Sequence, residues 1–174
     1  MASHARFGRT ARNGIMYGPP GLAYVYMVYG IHDCLNVVTE PVGSPAALLV
    51  RAVEPLAGIG EMRQARLDRE LSRRRLDDDG RRRVAERLAS MDDHGLAAGP
   101  GALTAAFGID RSVNGLDLLD DSSPLRLVMA GSSDRPLVIR TTARIGVAYA
   151  GERWASVPWR FIDASSPVHA VHGS

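Results

Sequence analysis

Hydrophobic and polar positions alternate most clearly near the start of the chain. Leu22 to Val28 is rich in β-branched and aromatic residues and predicts a strand. A period of two puts Tyr24 and Tyr26 on one face and Val25 and Met27 on the other. A second strand, about Cys34 to Thr39, follows the break Tyr29-Gly30-Ile31-His32. The two make a β-hairpin whose tip carries bulky side chains where turns usually carry small polar ones. A third strand, Ala47 to Val53, places Arg51 inside an apolar run. An unpaired charge there would be costly, which leaves a structural ion pair and a guanidinium holding a water or phosphate as two open readings.

Further on, the pattern predicts helices over Leu56 to Leu71 and Arg81 to Met91, with a break at Asp78-Asp79-Gly80. Gly99-Pro100-Gly101 opens a short amphipathic helix ending near Gly108, with Leu103, Ala106 and Phe107 as its apolar positions. Leu125 to Met129, Leu137 to Arg140 and Trp159 to Ile162 predict later strands. Strands and helices alternate irregularly, which favours an α+β fold over a doubly wound sheet. Ala164 to Ser174 is small and polar and is expected to fray.

Composition narrows the class. The 174 residues are 45% hydrophobic and 23% charged, as in globular proteins. No apolar run approaches the ~18 residues of a spanning helix, and no secretory h-region opens the chain. With Cys34 the sole cysteine, internal disulfides and multi-cysteine metal sites are excluded. His169 and His172 have ligand spacing but no third ligand nearby, so no metal is expected. These features predict an intracellular, soluble protein without a membrane partner.

Charge adds two facts. All 21 basic residues are arginine, so no lysine can form a Schiff base and no Gly-Lys-Ser/Thr phosphate loop exists. Residues 1 to 32 hold Arg6, Arg9, Arg12, His4 and His32 without one carboxylate. Residues 61 to 93 instead mix ten arginines with nine acids and predict solvated helices near charge balance. The N-terminal segment is therefore the anion-facing candidate.

Four of the five tyrosines, Tyr17, Tyr24, Tyr26 and Tyr29, fall within thirteen residues. Beside Arg6, Arg9 and Arg12, a tip of Tyr29, Gly30 and Ile31 suits DNA binding: guanidinium groups neutralise phosphates while the tip wedges between base pairs. Tyr24 and Tyr26 would offer a flat surface to a base. The competing reading makes each tyrosine a core residue with a satisfied hydroxyl, and the protein an enzyme on a small substrate or an RNA-binding fold.

Longer stretches carry a resemblance. Arg12-Asn13, Met16 to Gly21, Ala23 to His32, Cys34 to Val38 and Leu48 to Ala52 resemble the alkyladenine (methylpurine) DNA glycosylase family. Gly99-Pro100-Gly101 with Ala105 to Ile109, Arg144 to Val147, Trp159-Arg160-Phe161 and Ser166-Pro167 continue the match. Residues 64–98 match most loosely and would be a variable helical insert in one domain spanning 1–163. The resemblance implies a mixed domain with a curved, largely antiparallel sheet, surrounding helices and a protruding hairpin. It further implies a monofunctional hydrolase of the bond between a damaged purine and its sugar in duplex DNA. Tyr29 would fill the gap left by the flipped base, Tyr26 would stack on that base, and His4 would face it. Asn36 would disfavour the exocyclic amino group of guanine. Arg51 and the main-chain carbonyl of Ile145 would hold the attacking water. No cofactor, a monomeric state and a cytoplasmic place on the nucleoid follow from the same resemblance.

One departure bears on activity. The family carries its general-base glutamate, and another stacking tyrosine, shortly upstream of the histidine matched by His4; this sequence, opening at Met1, holds a counterpart of neither. Loss of general-base catalysis costs about 10²–10⁴-fold, so impaired turnover is expected, with an inactive damaged-DNA-binding module as the alternative. Losing the strand that carries the base would also expose core surface.

Overall fold

The structure, a computed structural model, describes residues 3–73, 75–129 and 136–168. Its centre is a three-stranded antiparallel sheet in the order β1 (Ala23–Val28), β2 (His32–Val38), β3 (Ala47–Leu49). Pairing runs from Ala23 opposite Val37 to Val28 opposite His32, so only Tyr29, Gly30 and Ile31 are left to turn the chain. The expected break is shorter by one residue, because His32 joins the ladder.

Period two sorts the residues as the sequence predicts. One face carries Ala23, Val25 and Leu35, which pack on Met62 of α1 (Ile59–Arg73) and on Leu103 and Ala106 of α3 (Pro100–Ala106). The opposite face carries Tyr24, Tyr26 and Val38, packed on Ala5 and Met16 of the N-terminal segment.

β1 lies at the sheet edge, where unpaired backbone groups invite aggregation. Here they are covered. Ala23 N–H donates to the Leu116 carbonyl at 2.8 Å and its carbonyl accepts from Gly115 N–H at 2.7 Å. Val25 N–H then donates to Asn114 Oδ1 at 2.9 Å, and the Met27 carbonyl accepts from Arg12 Nη2 at 3.1 Å.

Several boundaries move. β3 ends at Leu49, so Arg51 lies beyond the strand, between Val50, whose N–H still donates to Leu35, and Ala52, which bridges Ala98. The second long helix, α2 (Asp78–Ala89), starts at the acidic run expected to break it. Asp77 is its N-cap, accepting from Gly80 N–H at 2.8 Å, and Asp78 and Asp79 occupy the favourable first turn. Leu125 to Met129 is not a strand; Leu127, Val128 and Met129 are exposed and no neighbouring strand pairs them. In α3, Phe107 falls at the C-cap and is partly exposed.

β4 (Ile139–Thr142) and β5 (Arg160–Asp163) form a separate antiparallel pair, with the short α4 (Glu152–Ala155) between them in sequence. The α+β architecture is thus as expected, with the antiparallel pairing divided between two open sheets. Every residue of β4 is exposed, as are Trp159 and Phe161 beside it. Residues 164–168 are packed rather than frayed: Ser166 Oγ donates to Glu54 Oε2 at 2.9 Å and Val168 is buried. His169 and His172 lie outside the described residues.

The arginine-rich middle block divides: Arg81, Arg82, Arg83 and Arg87 of α2 are exposed, as expected of a solvated helix, whereas α1 departs from expectation. Arg66 of α1 is buried, with Nη1 donating to the carbonyls of Gly95 (3.3 Å) and Leu96 (3.0 Å). Arg63 donates to the Leu88 carbonyl, an acceptor in the last turn of α2 that the helix itself leaves free, and to the Met91 carbonyl just beyond it. These guanidinium groups are internal ties, not a solvated face.

Candidate active site

The tyrosine face of β1 and β2 assembles an aromatic and polar cluster. Tyr24 is 1% exposed and its hydroxyl pairs with His4 Nδ1 at 3.0 Å. The His4 ring stands edge-on to Tyr26, centroids 4.4 Å apart and planes at 78°. Tyr24 and Tyr26 lie 5.2 Å apart with planes tilted by 36°. The two tyrosines differ in burial: Tyr24 is a core residue, whereas Tyr26 is half-buried, with the His4 ring and the Arg12 guanidinium against it.

Asn13 holds His4 in place. This buried amide donates from Nδ2 to the carbonyls of His4 and Gly8, both at 2.9 Å, and accepts from Thr10 N–H at 2.6 Å. The N-terminal loop is thus wound around one side chain. Sequence reading took Asn13-Gly14 as turn chemistry, because hydrogen bonds closing a loop around a buried amide leave no periodic trace.

Asn36 faces the same side as Tyr24 and Tyr26 and is buried. Its Nδ2 donates to the Tyr24 carbonyl at 3.0 Å and the Cys34 carbonyl at 3.3 Å. Two carbonyl partners require the nitrogen at that position, which fixes the amide orientation and leaves Oδ1 as the free-standing acceptor.

Electrostatics at the cleft are cationic. Arg12 lies over the Tyr26 ring at 5.4 Å while bonding the Met27 carbonyl. Burial, and next the Arg12 charge, hold the His4 pKa below its ordinary value, which keeps the ring neutral. Burial, followed by the neighbouring Cys34 and Tyr24, pushes the Tyr26 hydroxyl up to about 12. Arg51 is half-buried, with its pKa lowered first by burial and then by Arg160. No ion pair holds Arg51 among the described residues. Besides burial, the cations that shift these groups are Arg12, beside His4 and Tyr26, and Arg160, beside Arg51.

The hairpin tip stands apart. Tyr29 is 91% exposed and Ile31 53% exposed. Tyr29 has φ +53° and Gly30 φ +72°, and Ile31 N–H donates to the Val28 carbonyl at 3.1 Å, closing a β-turn centred on Tyr29 and Gly30 inside the three-residue connection. That turn requires positive φ at both central residues, and Tyr29 is the only non-glycine described residue that adopts it. A bulky side chain in this conformation costs roughly 1–2 kcal/mol.

The other candidates divide. Arg6 is stacked at 4.5 Å from the Phe7 ring and 5.8 Å from the Tyr149 ring, and Arg9 lies 5.5 Å from Tyr17. Of the three N-terminal arginines, Arg12 alone bonds the hairpin among the described residues. Ile145 is exposed in the turn at Gly146, beside Arg144, which donates to the Trp154 carbonyl and covers the Trp159 ring. No hydrogen bond ties Ile145 to the cluster among the described residues. Tyr149, exposed and close enough to act on Tyr26, went unmarked in the sequence because it is far from the other tyrosines along the chain.

An exposed aromatic on a hairpin next to a cationic, tyrosine-walled cleft suits a nucleobase, and the comparisons with known proteins agree. The family model described as Methylpurine-DNA glycosylase (MPG) matches residues 1–167. The chain belongs to the methylpurine-DNA glycosylase family. Three relatives bear the name "Putative 3-methyladenine DNA glycosylase". That of Methanocella arvoryzae is 42% identical over 168 residues, covering 95% of this chain and 70% of the relative. That of Desulfitobacterium hafniense is 40% identical over 161 residues, covering 92% and 70%. That of Bradyrhizobium diazoefficiens is 42% identical over 160 residues, covering 92% and 64%. Glycosylases of this family are hydrolases acting on DNA. No helix among the described residues is long and apolar enough to cross a membrane.

Proposed function

We propose that this chain, acting as a monomer in the cytoplasm, finds alkylated or deaminated purines in duplex DNA and turns them out of the stack. The class includes 3-methyladenine, 7-methylguanine and hypoxanthine. The observation that carries this reading is Tyr29: an almost fully exposed ring held in a costly backbone conformation beside an aromatic cleft. Strain of this kind persists where the surrounding structure and a use for it maintain it. Tyr29, backed by Ile31, fills the vacated space, and Arg6, Arg9 and Arg12 face the phosphates. The base stacks on Tyr26 opposite His4, and a cationic methylated purine gains more from an aromatic face than a neutral one. Asn36 Oδ1 reads the base edge. Arg51 and the Ile145 carbonyl hold the water that attacks the sugar carbon.

Among the described residues, none of the side chains bonded to or stacked on His4, Tyr26 or Asn36 is a carboxylate that could take that water's proton. Asp33 is held by arginines on the opposite face of the sheet, and Glu54 is bonded to Ser166. Turnover is therefore lower by about 10²–10⁴-fold than that of a glycosylase with a general base in its cleft. The same feature supports the second reading, a module that binds damage and releases nothing.

The experiment pairs duplex binding with release of free hypoxanthine or methylated base under single-turnover conditions. Preference for damaged over intact duplex, weakened by Tyr29→Ala, is expected with slow release. Binding without release favours the module. Equal affinity for damaged and intact duplex defeats both readings.

A further inference from the structure

The hairpin that carries Tyr29 outruns its own sheet. β3 pairs only with Asn36, Val37 and Val38, and Val50 extends that pairing to the Leu35 carbonyl. Beyond Leu35 no strand among the described residues lies beside the outer edge of β2, yet the carbonyls there are still occupied at every second residue. Thr104 Oγ1 of α3, itself buried, donates to the Asp33 carbonyl at 2.9 Å. Arg73, in the last turn of α1, donates to the Ile31 carbonyl. On the other edge Arg12 holds the Met27 carbonyl. Side chains thus continue the ladder that the third strand abandons.

One carboxylate organises the α1 side. Asp33 is 3% exposed and forms an ion pair with Arg69, while Arg73 Nη2 lies 3.5 Å from the same oxygen. Arg69 also donates to the Ile109 carbonyl at 2.9 Å, which fixes its other prong on the protein body. Two arginines four residues apart on one helix repel each other, and a shared anion offsets that repulsion. Asp33 thereby lets α1 present both guanidinium groups to the same short stretch of hairpin.

Resting on the repair reading above, we propose that Arg73 and Arg69, joined through Asp33, are positioning residues that hold the Tyr29 hairpin rigid for entry into a duplex. A two-stranded hairpin alone is marginally stable in water. Unstacking a base step costs a few kcal/mol, so a pliant finger bends where a braced one inserts. Preorganisation of this kind raises affinity without adding a contact to DNA. Arg73 acts through Tyr29, not on the substrate.

The test is a double-mutant cycle on the full chain, using duplex DNA with a stable abasic-site analogue, which requires insertion but no bond cleavage. Arg73→Ala is expected to weaken binding about tenfold in wild type and to have no further effect in Tyr29→Ala, since residues acting as a unit are non-additive. Arg73→Lys, which keeps the charge but loses the two-pronged fork, is expected to behave like Arg73→Ala. Amide hydrogen exchange supplies a readout without DNA: faster exchange confined to the tip around Ile31 and Asp33, with the rest of the sheet unchanged. Additive losses with full function in Arg73→Lys would mean a phosphate contact and overturn the proposal, as would unchanged exchange at the tip. If wild type binds the abasic duplex no better than intact duplex, the repair reading itself fails.

Discussion

The two faces of the β1–β2–β3 sheet follow one alternating pattern and end as different materials. The α1 and α3 face is apolar at its centre, with Val25, Leu35, Met62 and Leu103 in one cluster, and the charges it meets are held by directional bonds: Arg66 on the Leu96 carbonyl and Arg69 on Asp33. The N-terminal face is built from Tyr24, Asn36 and His4, joined by hydrogen bonds, and from Tyr26, which meets His4 edge-on. The first face makes the sheet stable. The second spends its burial on directional contacts, with Tyr26 left half-buried. On the proposed function that division leaves room for a flat base, which close packing on both sides would not.

Breaking the apolar face should have the largest effect. Leu35→Ala should destabilise by about 2–5 kcal/mol, through lost transfer energy and a cavity, in a chemical denaturation series. Asn13→Ala strikes the polar face by removing three hydrogen bonds from one buried amide, at about 3 kcal/mol. Unlike Leu35→Ala, it should also weaken damaged-duplex binding under conditions where the variant stays folded, because His4 loses its anchor.

Tyr29, at the tip where the two faces meet, sharpens the comparison in the opposite direction. Tyr29→Gly removes an aromatic residue from positive φ and should raise stability by about 1 kcal/mol while reducing affinity for damaged duplex. A rise in both quantities would remove the case for a backbone conformation maintained for function.

The smallest effect concerns His4. Its folded pKa lies below the unfolded value near 6.5, so the unfolded chain takes up protons first as pH falls. Stability from this group is complete above about pH 6.5 and declines as pH drops toward the folded value. His4→Gln should flatten that part of the profile in denaturant midpoints measured across it; an unchanged slope assigns the dependence elsewhere.

Local sterics made part of this molecule readable. The alternation of Tyr24 and Tyr26 against Val25 and Met27, and the position of the turn, depend on neighbours within a few residues. Helix ends were harder: Asp77 reads as a breaker but acts as a cap, because a short carboxylate serves turns and helix starts by the same bond. The predicted strand at Leu125 to Met129 failed because an apolar run becomes a strand only when an edge is available to pair it.

By itself, the sequence determined the alternation of the sheet, the aromatic tip, the all-arginine cationic surface and the family. Tertiary structure alone decided that Tyr24 is a core residue while Tyr26 is half-buried, that Asn13 anchors His4, and that α1 turns its arginines inward. Those outcomes rest on partners up to forty-two residues away, such as Arg73 with the Ile31 carbonyl. A guanidinium is equally at home in water or against a carbonyl, so its own position in the chain cannot say which it will meet.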